Sequence, residues 1–262
     1  MLMNKNAVIY GATGAVGGAV AETFAREGAR VFLTGRDLDR LEVLADKIVG
    51  AGGQAEFARV DALDRTMVAD HLAEVRRTAG RIDISFNATG ISHRGLQGIP
   101  LVDLPEQDFS RPIDFYTKAQ FTTATAAARH MTEQGSGVIM TLSATPARLA
   151  APLVGGMAPA WAAIEAFSRV LAAELGPAGV RVVCLRSNSI PETPLIAEVF
   201  SMIAPTVGLT PEQFQAGGEQ ATMLKRLPTL AEVADVAAFM ASDRAGAMTG
   251  VVANLSAGSV PD

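Results

Sequence analysis

Cysteine and histidine are scarce in this chain, which has one cysteine and three histidines among 262 residues. A single cysteine, Cys184, excludes a framework of disulfide bonds and fits a reducing compartment. Histidines, cysteines and carboxylates do not cluster at the spacing of metal ligands, so we expect no metal site. The sequence therefore excludes the class of small disulfide-rich proteins.

An excess of positive charge and long apolar runs are also missing. The formal net charge is −5, which argues against nucleic acid or an anionic membrane as the main partner. The longest uncharged stretch, Leu149–Ile164, is too short and too broken by proline and glycine to span a bilayer. The first six residues lead straight into a strand pattern and leave no room for a signal peptide. We expect a soluble, cytoplasmic protein.

Hydrophobic residues are abundant, at 49% of the chain, and they fall into an alternating pattern. Short apolar runs predict strands at Ala7–Tyr10, Val31–Thr34, Ala55–Val60, Ile82–Phe86, Val138–Leu142, Val180–Leu185 and Val251–Leu255. Longer patterns predict helices at Val16–Glu27, Leu38–Ala51, Arg65–Ala79, Phe109–Glu133, Ala158–Gly176 and Ala231–Ser242. This alternation predicts a doubly wound α/β fold, with a mostly parallel seven-stranded sheet, in one domain over residues 1–262.

The segment 188–226 breaks the alternation. It contains Pro191, Pro194, Pro205 and Pro211, and no strand pattern. We expect a helical insertion that lies over a site as a lid.

The first predicted strand runs into a turn in which Gly11, Gly14 and Gly17 recur every three residues. Glycine allows a tight turn, close approach of a pyrophosphate and close helix–strand packing, and the N-terminus of the next helix attracts phosphate. The pattern predicts a dinucleotide site that includes Thr13 and Val16. The alternative is a glycine-rich turn with no ligand.

Arg36 follows the second predicted strand. An acidic residue at this position would bind a ribose 2′-hydroxyl, whereas an arginine pairs with a 2′-phosphate. Arg36 therefore favours NADP(H) over NAD(H). The alternative is a solvated arginine at the start of a helix.

Several motifs resemble those of the short-chain dehydrogenase/reductase (SDR) family. They are Val60-Asp61-Ala62, Asn87-Ala88-Thr89-Gly90, Ser168–Leu175 with Gly179–Val182, and Ala231–Ala234 with Ala241–Asp243. The resemblance spans nearly the whole chain. It implies a Rossmann-like fold, a nicotinamide cofactor that Asp61, Ala62, Asn87 and Gly90 help to bind, and a homodimer or homotetramer.

The same resemblance locates positions at which the family's catalytic groups are missing. The family uses a tyrosine, a lysine four residues later, a serine and an asparagine. The flanking motifs place Met157, Trp161, Ala144 and Tyr116, respectively, at these positions. The chain has two tyrosines, and neither is followed by lysine four residues later, so no shift of the alignment restores the pair.

Other side chains offer weak replacements. Tyr116 is a candidate acid and Ser143, beside Ala144, a candidate ligand for a carbonyl; the alternatives are a packing role and a strand cap. His93, Arg94, Arg148 and Arg186 are candidates to bind an anionic substrate, although solvated side chains are the alternative. Met157 and Trp161, among small residues, favour packing in the core or at a helix–helix interface, and the alternative is an apolar pocket.

These observations leave three functions open. The first is an NADP(H)-binding SDR-like oxidoreductase that acts on a carbonyl, an alcohol or a related small substrate with a non-standard proton source. The alternative is a catalytically inactive sensor or scaffold that binds the cofactor. A third is a non-redox step that uses Tyr116 or Arg94.

Overall fold

The computed structural model describes residues 1–261, which fold into an α/β domain. The strands are β1 Asn6–Tyr10, β2 Arg30–Gly35, β3 Gln54–Arg59, β4 Ile84–Asn87, β5 Gly137–Ala144, β6 Val180–Ser187 and β7 Val251–Leu255. The helices are α1 Ala15–Arg26, α2 Leu38–Gly50, α3 Arg65–Ala79, α4 Glu106–Gln134, α5 Met157–Leu175, α6 Pro194–Ile203, α7 Pro211–Gln220 and α8 Leu230–Ala241. The strand order is β3-β2-β1-β4-β5-β6-β7, and all neighbours are parallel. The predicted doubly wound sheet is confirmed.

Helices cover both faces of the sheet. Side chains alternate along β1, so that Ile9 packs with α1, α2 and α8 while Val8 packs with α3, α4 and α5. All five residues of β1 are buried, as expected for a central strand covered on two sides. Each large apolar side chain buried in this way, such as Phe24 or Leu72, contributes about 1.5–3 kcal/mol. The two apolar layers fix the position of the sheet and therefore of the carboxyl ends of its strands.

Most element boundaries differ from the sequence prediction by one or two residues, and the starts of β4 and α4 are two informative cases. Strand β4 begins at Ile84 rather than Ile82, because the side chain of Gln134 bonds to the backbone N–H and C=O of Ile82 at 2.9 and 2.8 Å. Helix α4 begins at Glu106, three residues before the predicted Phe109. Glu106 and Asp108 in its first turn suit the positive end of the helix dipole. Both differences lie at the amino-terminal end of an element and leave the order of the elements unchanged.

The carboxyl ends of β1 and β4 lie side by side at the centre of the sheet. The chain leaves β1 towards β2 on one side and leaves β4 towards β5 on the other. Such a topological switch point opens a crevice at the sheet edge, which is where open α/β sheets bind ligands. The segment 188–226 contains α6 and α7, and both helices lie over this edge.

Within residues 1–261, no single helix is long and apolar enough to cross a membrane. One pair, Pro194–Val207 with Pro211–Gln220, meets the length and composition criteria jointly but is bent by 95°.

Candidate functional site

One cavity of about 1000 Å³ opens at the carboxyl ends of the central strands. At one end it is lined by the glycine-rich turn after β1 and by the residues that follow β2 and β3. At the other end it is lined by the loops after β4, β5 and β6 and by α6 and α7. We call these the nucleotide end and the inner end. The predicted dinucleotide site and the predicted lid therefore face the same space.

The turn after β1 has no room for larger side chains. Gly11 has a φ of +72°, and a Cβ there would lie 2.8 Å from the backbone of Thr89. A Cβ on Gly17 would overlap the carbonyl oxygen of Gly11. Gly14, the N-cap of α1, provides no side-chain hydrogen bond, so the first turn of the helix offers its amides to an anion. This compact geometry is the one that the predicted pyrophosphate site requires.

Most of the remaining residues of this turn line the cavity, and one lies behind them and supports the turn. Thr13, Gly14 and Val16 line the cavity with Gly11, whereas Gly17 lies behind them at the contact between α1 and the turn. Gly17 is therefore required for packing rather than for contact with a ligand.

Two guanidinium groups stand at the carboxyl end of β2. Arg36 is exposed and lines the cavity, as does Arg40, whose Nη2 donates to the carbonyl oxygen of Thr13 at 2.9 Å. Within residues 1–261 neither forms an ion pair with a carboxylate. The neighbouring Asp37 does not line the cavity, because its carboxylate caps α2 by accepting the backbone N–H of Arg40 at 3.2 Å. The sequence analysis missed Arg40, although its spacing of four residues from Arg36 is a usable signal.

The motifs after β3 and β4 contribute in different ways. Asp61, Ala62 and Gly90 line the cavity. Asn87 does not, because its amide nitrogen donates to Ala119 O at 3.1 Å and to Thr123 Oγ1 at 2.8 Å on α4. Its amide oxygen accepts the backbone N–H of Thr89 at 2.9 Å. Asn87 thus fixes the loop 88–90, and that loop forms the cavity wall.

The four positions that the sequence alignment assigned to the family's catalytic residues lie close together. Ala144, Tyr116 and Trp161 line the cavity, with the Tyr116 and Trp161 rings 6.4 Å apart. Met157 is fully buried and does not line it. The packing interpretation therefore describes Met157 well but not Trp161, which forms part of the cavity wall because α5 turns that side chain towards α4.

The two weak catalytic candidates are held differently. Tyr116 is buried and its hydroxyl is hydrogen-bonded to the backbone of Ile91, while burial raises the pKa of the phenol to about 12. Ser143 lines the cavity, but its hydroxyl donates to Glu165 Oε1 at 2.9 Å. Ser143 already donates its proton in a hydrogen bond to Glu165, whereas the Ile91 backbone bonds the phenol oxygen of Tyr116 and leaves its proton available. The geometry therefore favours Tyr116 as a donor to a substrate oxygen.

Glu165 and Arg186 form a buried ion pair beneath the cavity. Their side chains are 4% and 2% exposed, and Arg186 Nε and Nη2 each donate to a different Glu165 oxygen at 2.7 Å. Cys184 lies beside them, its Sγ 3.5 Å from Ser143 Oγ, and burial raises the pKa of the thiol to about 11. This network connects β5, β6 and α5 below the inner end of the cavity.

The arginines that the sequence offered for an anionic substrate lie outside the cavity. Arg186 belongs to the buried pair, Arg94 bonds to Glu198 at 2.9 Å with its side chain 81% exposed, and Arg148 does not line the wall. That expectation is corrected for all three, since none of them lines the cavity, and Glu165 binds Arg186 while Glu198 binds Arg94. Within residues 1–261 no three metal-ligating side chains come together.

Known proteins resemble this chain over nearly its whole length. A family model described as enoyl-(acyl carrier protein) reductase matches residues 11–259. An uncharacterised oxidoreductase of Bacillus subtilis, YxbG, is 33% identical over 249 residues, which cover 95% of this chain and 88% of that protein. The oxidoreductase UcpA of Salmonella typhimurium is 30% identical over 259 residues, covering 98% and 95%.

Solved structures share the fold. A 7α-hydroxysteroid dehydrogenase in complex with NADH and 7-oxo glycochenodeoxycholic acid is 27% identical, with a TM-score of 0.86 over 100% of this chain and 96% of that one. An NAD⁺-bound xylitol dehydrogenase, 23% identical with a TM-score of 0.90 over 97% and 98%, has the same architecture. The sequence motifs, the parallel sheet and these matches agree, and the chain belongs to the short-chain dehydrogenase/reductase family of oxidoreductases.

Proposed function

We propose that this chain is an NADP(H)-dependent oxidoreductase that acts on a carbonyl or alcohol without the family's usual tyrosine and lysine. The observation that carries the proposal is the nucleotide end of the cavity. A glycine-rich turn shaped for a pyrophosphate lies beside Arg36 and Arg40, which form no ion pair with a carboxylate within residues 1–261. Two cations at this strand end suit a ribose 2′-phosphate, whereas residues 36–40 place no carboxylate in the lining to accept a hydrogen bond from the 2′-hydroxyl of NAD(H).

Different residues of the nucleotide end would bind different parts of the cofactor. The turn 11–16 and the first turn of α1 would hold the pyrophosphate, Arg36 and Arg40 the 2′-phosphate, and Asp61 with Ala62 the adenine. The loop 88–90, fixed by Asn87, would support the nicotinamide half. When bound, the dihydronicotinamide supplies the hydride that reduces a carbonyl carbon.

The chain's own residues at the inner end shape the site more than they exchange protons. Ala144 leaves space at the end of β5, and Trp161 provides an apolar wall. Tyr116 keeps its proton, because its pKa is raised and no lysine follows four residues later. Positioning of the substrate then supplies most of the rate, and water supplies the proton to the product oxygen.

The proposal is tested by measuring NADPH consumption and alcohol formation in equal amounts with a panel of ketones and aldehydes. We expect turnover above the rate without protein, together with a slower reaction with NADH. The alternative, an inactive sensor or scaffold, predicts that NADPH binds while no carbonyl in the panel is reduced. Product formed without NADPH consumption would indicate the non-redox function instead.

We further infer that residues 188–226 act as a lid. Val199 and Phe200 of α6 and Phe214 of α7 form one wall of the inner end. The ion pair between Glu198 and Arg94 connects this wall to the loop after β4. Because the Arg94 side chain is 81% exposed, that pair is weak and permits opening.

We also infer a homodimer or homotetramer that forms through α4 and α5. Phe121 and Val170 are 48% and 58% exposed, and the Phe121 ring lies 6.1 Å from that of Phe167. An exposed aromatic and aliphatic face of this kind marks an association surface. A Phe121→Asp substitution is expected to reduce the molar mass measured by light scattering. A Phe57→Asp control at the sheet edge should not, and an unchanged mass for Phe121→Asp would contradict this interface.

A further inference from the structure

Charge is distributed unevenly along the cavity. Its charged lining side chains, Arg36, Arg40 and Asp61, all lie at the nucleotide end. Between residues 88 and 227 the lining contains no aspartate, glutamate, lysine or arginine. The inner end is walled by large apolar side chains, among them Leu149, Leu153, Ile196, Val199, Phe200 and Phe214.

An apolar wall of this kind selects against charged ligands. A carboxylate moved from water into such a space loses its hydration and finds no cation there to compensate. An aliphatic chain gains from the same transfer, in proportion to the apolar area removed from water. The inner end therefore suits an uncharged, largely apolar molecule.

The inner end also has polar lining residues, such as Gln97, Thr145 and Asn188, and among them His93 is a buried group with one unused atom. The side chain lines the cavity and is 3% exposed. Its Nδ1 lies 3.0 Å from the amide nitrogen of Gln97, which donates to it. Nδ1 is thus the acceptor, and the ring carries its proton on Nε2. Within residues 1–261, Nε2 has no hydrogen-bond partner.

The surroundings of His93 keep the ring neutral and oriented. Burial lowers its pKa to about 4, so at neutral pH the ring has one N–H. The ring packs edge-on against Trp161, with centroids 6.2 Å apart, while Gln97 holds the opposite side. A buried N–H without an acceptor is unfavourable, and an oxygen that accepted its hydrogen bond would remove that penalty.

We propose that the inner end binds an uncharged, largely apolar carbonyl compound whose oxygen accepts a hydrogen bond from His93 Nε2. The inference rests on the proposed function in sharing its cavity, but it concerns binding and can be tested without turnover. Ser143 does not compete for this role, since its hydroxyl already donates to Glu165. Trp161 would pack against the hydrocarbon part of the ligand.

The test uses the fluorescence of Trp161, the only tryptophan in the sequence, which lies against His93. The full-length protein, with excess NADP⁺, is titrated with 2-octanone and with 7-oxooctanoate, an anionic methyl ketone of the same chain length. We expect 2-octanone to bind at least about tenfold more tightly. Equal or tighter binding of 7-oxooctanoate, or no binding of 2-octanone, would overturn the proposed substrate class.

Variants of His93 test the hydrogen bond. His93→Leu is expected to weaken 2-octanone binding about five- to tenfold, whereas His93→Gln, which keeps an N–H near the Nε2 position, weakens it less than about threefold. His130→Leu, on α4 outside the cavity, serves as the control. Unchanged binding by His93→Leu would show that His93 does not hold the ligand.

A measurement on the unmodified protein covers the case in which His93→Leu does not fold. With ¹⁵N-labelled histidine, the Nε2–H resonance of His93 should shift when 2-octanone is added, and an unmoved resonance at saturation would contradict the proposal. Ketone binding without NADPH consumption would refute the proposed function and leave this inference standing. Turnover of 2-octanone that is unaffected by His93→Leu would refute this inference and leave the proposed function standing.

Discussion

Replacing both Arg36 and Arg40 with serine is expected to weaken NADPH binding by about 100-fold or more. A charge-assisted hydrogen bond to phosphate contributes about 1.5–3 kcal/mol, so each lost guanidinium costs roughly tenfold or more in affinity. NADH has no 2′-phosphate, and its affinity should change by less than about threefold. The double variant is therefore expected to lose the preference for the phosphorylated cofactor.

The measurement is a titration of each nucleotide followed by nicotinamide fluorescence, for the protein and for the single and double variants. Arg129→Ser is the matched control, because Arg129 is exposed on α4 and does not line the cavity. Salt should weaken NADPH more than NADH, since the additional contacts are ionic. A double variant that still prefers NADPH as strongly as the unmodified protein would exclude the phosphate role of both arginines.

Replacing Glu165 with leucine is expected to lower the free energy of unfolding by about 3–5 kcal/mol. The carboxylate accepts two hydrogen bonds from Arg186 and one from Ser143 within a site that water does not reach. Leucine would remove the carboxylate that binds Arg186 Nε and Nη2 and would leave the Ser143 hydroxyl without this acceptor. Breaking a buried pair from one side is far more costly than losing the attraction itself. We expect this change to destabilise the protein more than any exposed ion-pair substitution.

Denaturant unfolding of three variants tests this expectation. A Glu165→Leu/Arg186→Met double variant should be less destabilised than Glu165→Leu alone, because it removes the buried guanidinium together with the carboxylate that it binds. Glu74→Leu, which breaks an exposed pair with Arg77, is the control and should unfold like the unmodified protein. If Glu165→Leu also unfolds like the unmodified protein, the buried pair does not hold β5, β6 and α5 together.

The fold could be predicted from the sequence in most of its detail. Apolar runs located the seven strands, most clearly the central ones such as β1, because a strand covered on both faces needs apolar residues at successive positions. The predicted start of β4 was two residues early because the side chain of Gln134, about fifty residues away, forms hydrogen bonds with both the N–H and the C=O of Ile82. A contact between distant residues of this kind leaves no local pattern.

The nucleotide end was predicted better than the inner end for a similar reason. Gly11, Gly14 and Arg36 act through local geometry at a strand end, which spacing along the chain reveals. The unused Nε2 of His93 and the occupied hydroxyl of Ser143 depend on packing between separate elements. Trp161 was assigned to packing because a small-residue helix face has the same pattern whether it meets another helix or a cavity.

The central claim is that the crevice after β1, together with Arg36 and Arg40 after the neighbouring strand β2, binds a nicotinamide nucleotide that carries a 2′-phosphate. Isothermal titration calorimetry of the unmodified protein tests it most directly. We expect NADPH to bind at least about tenfold more tightly than NADH, with one site per chain. Tighter binding of NADH, or no detectable binding of either nucleotide, would contradict the account.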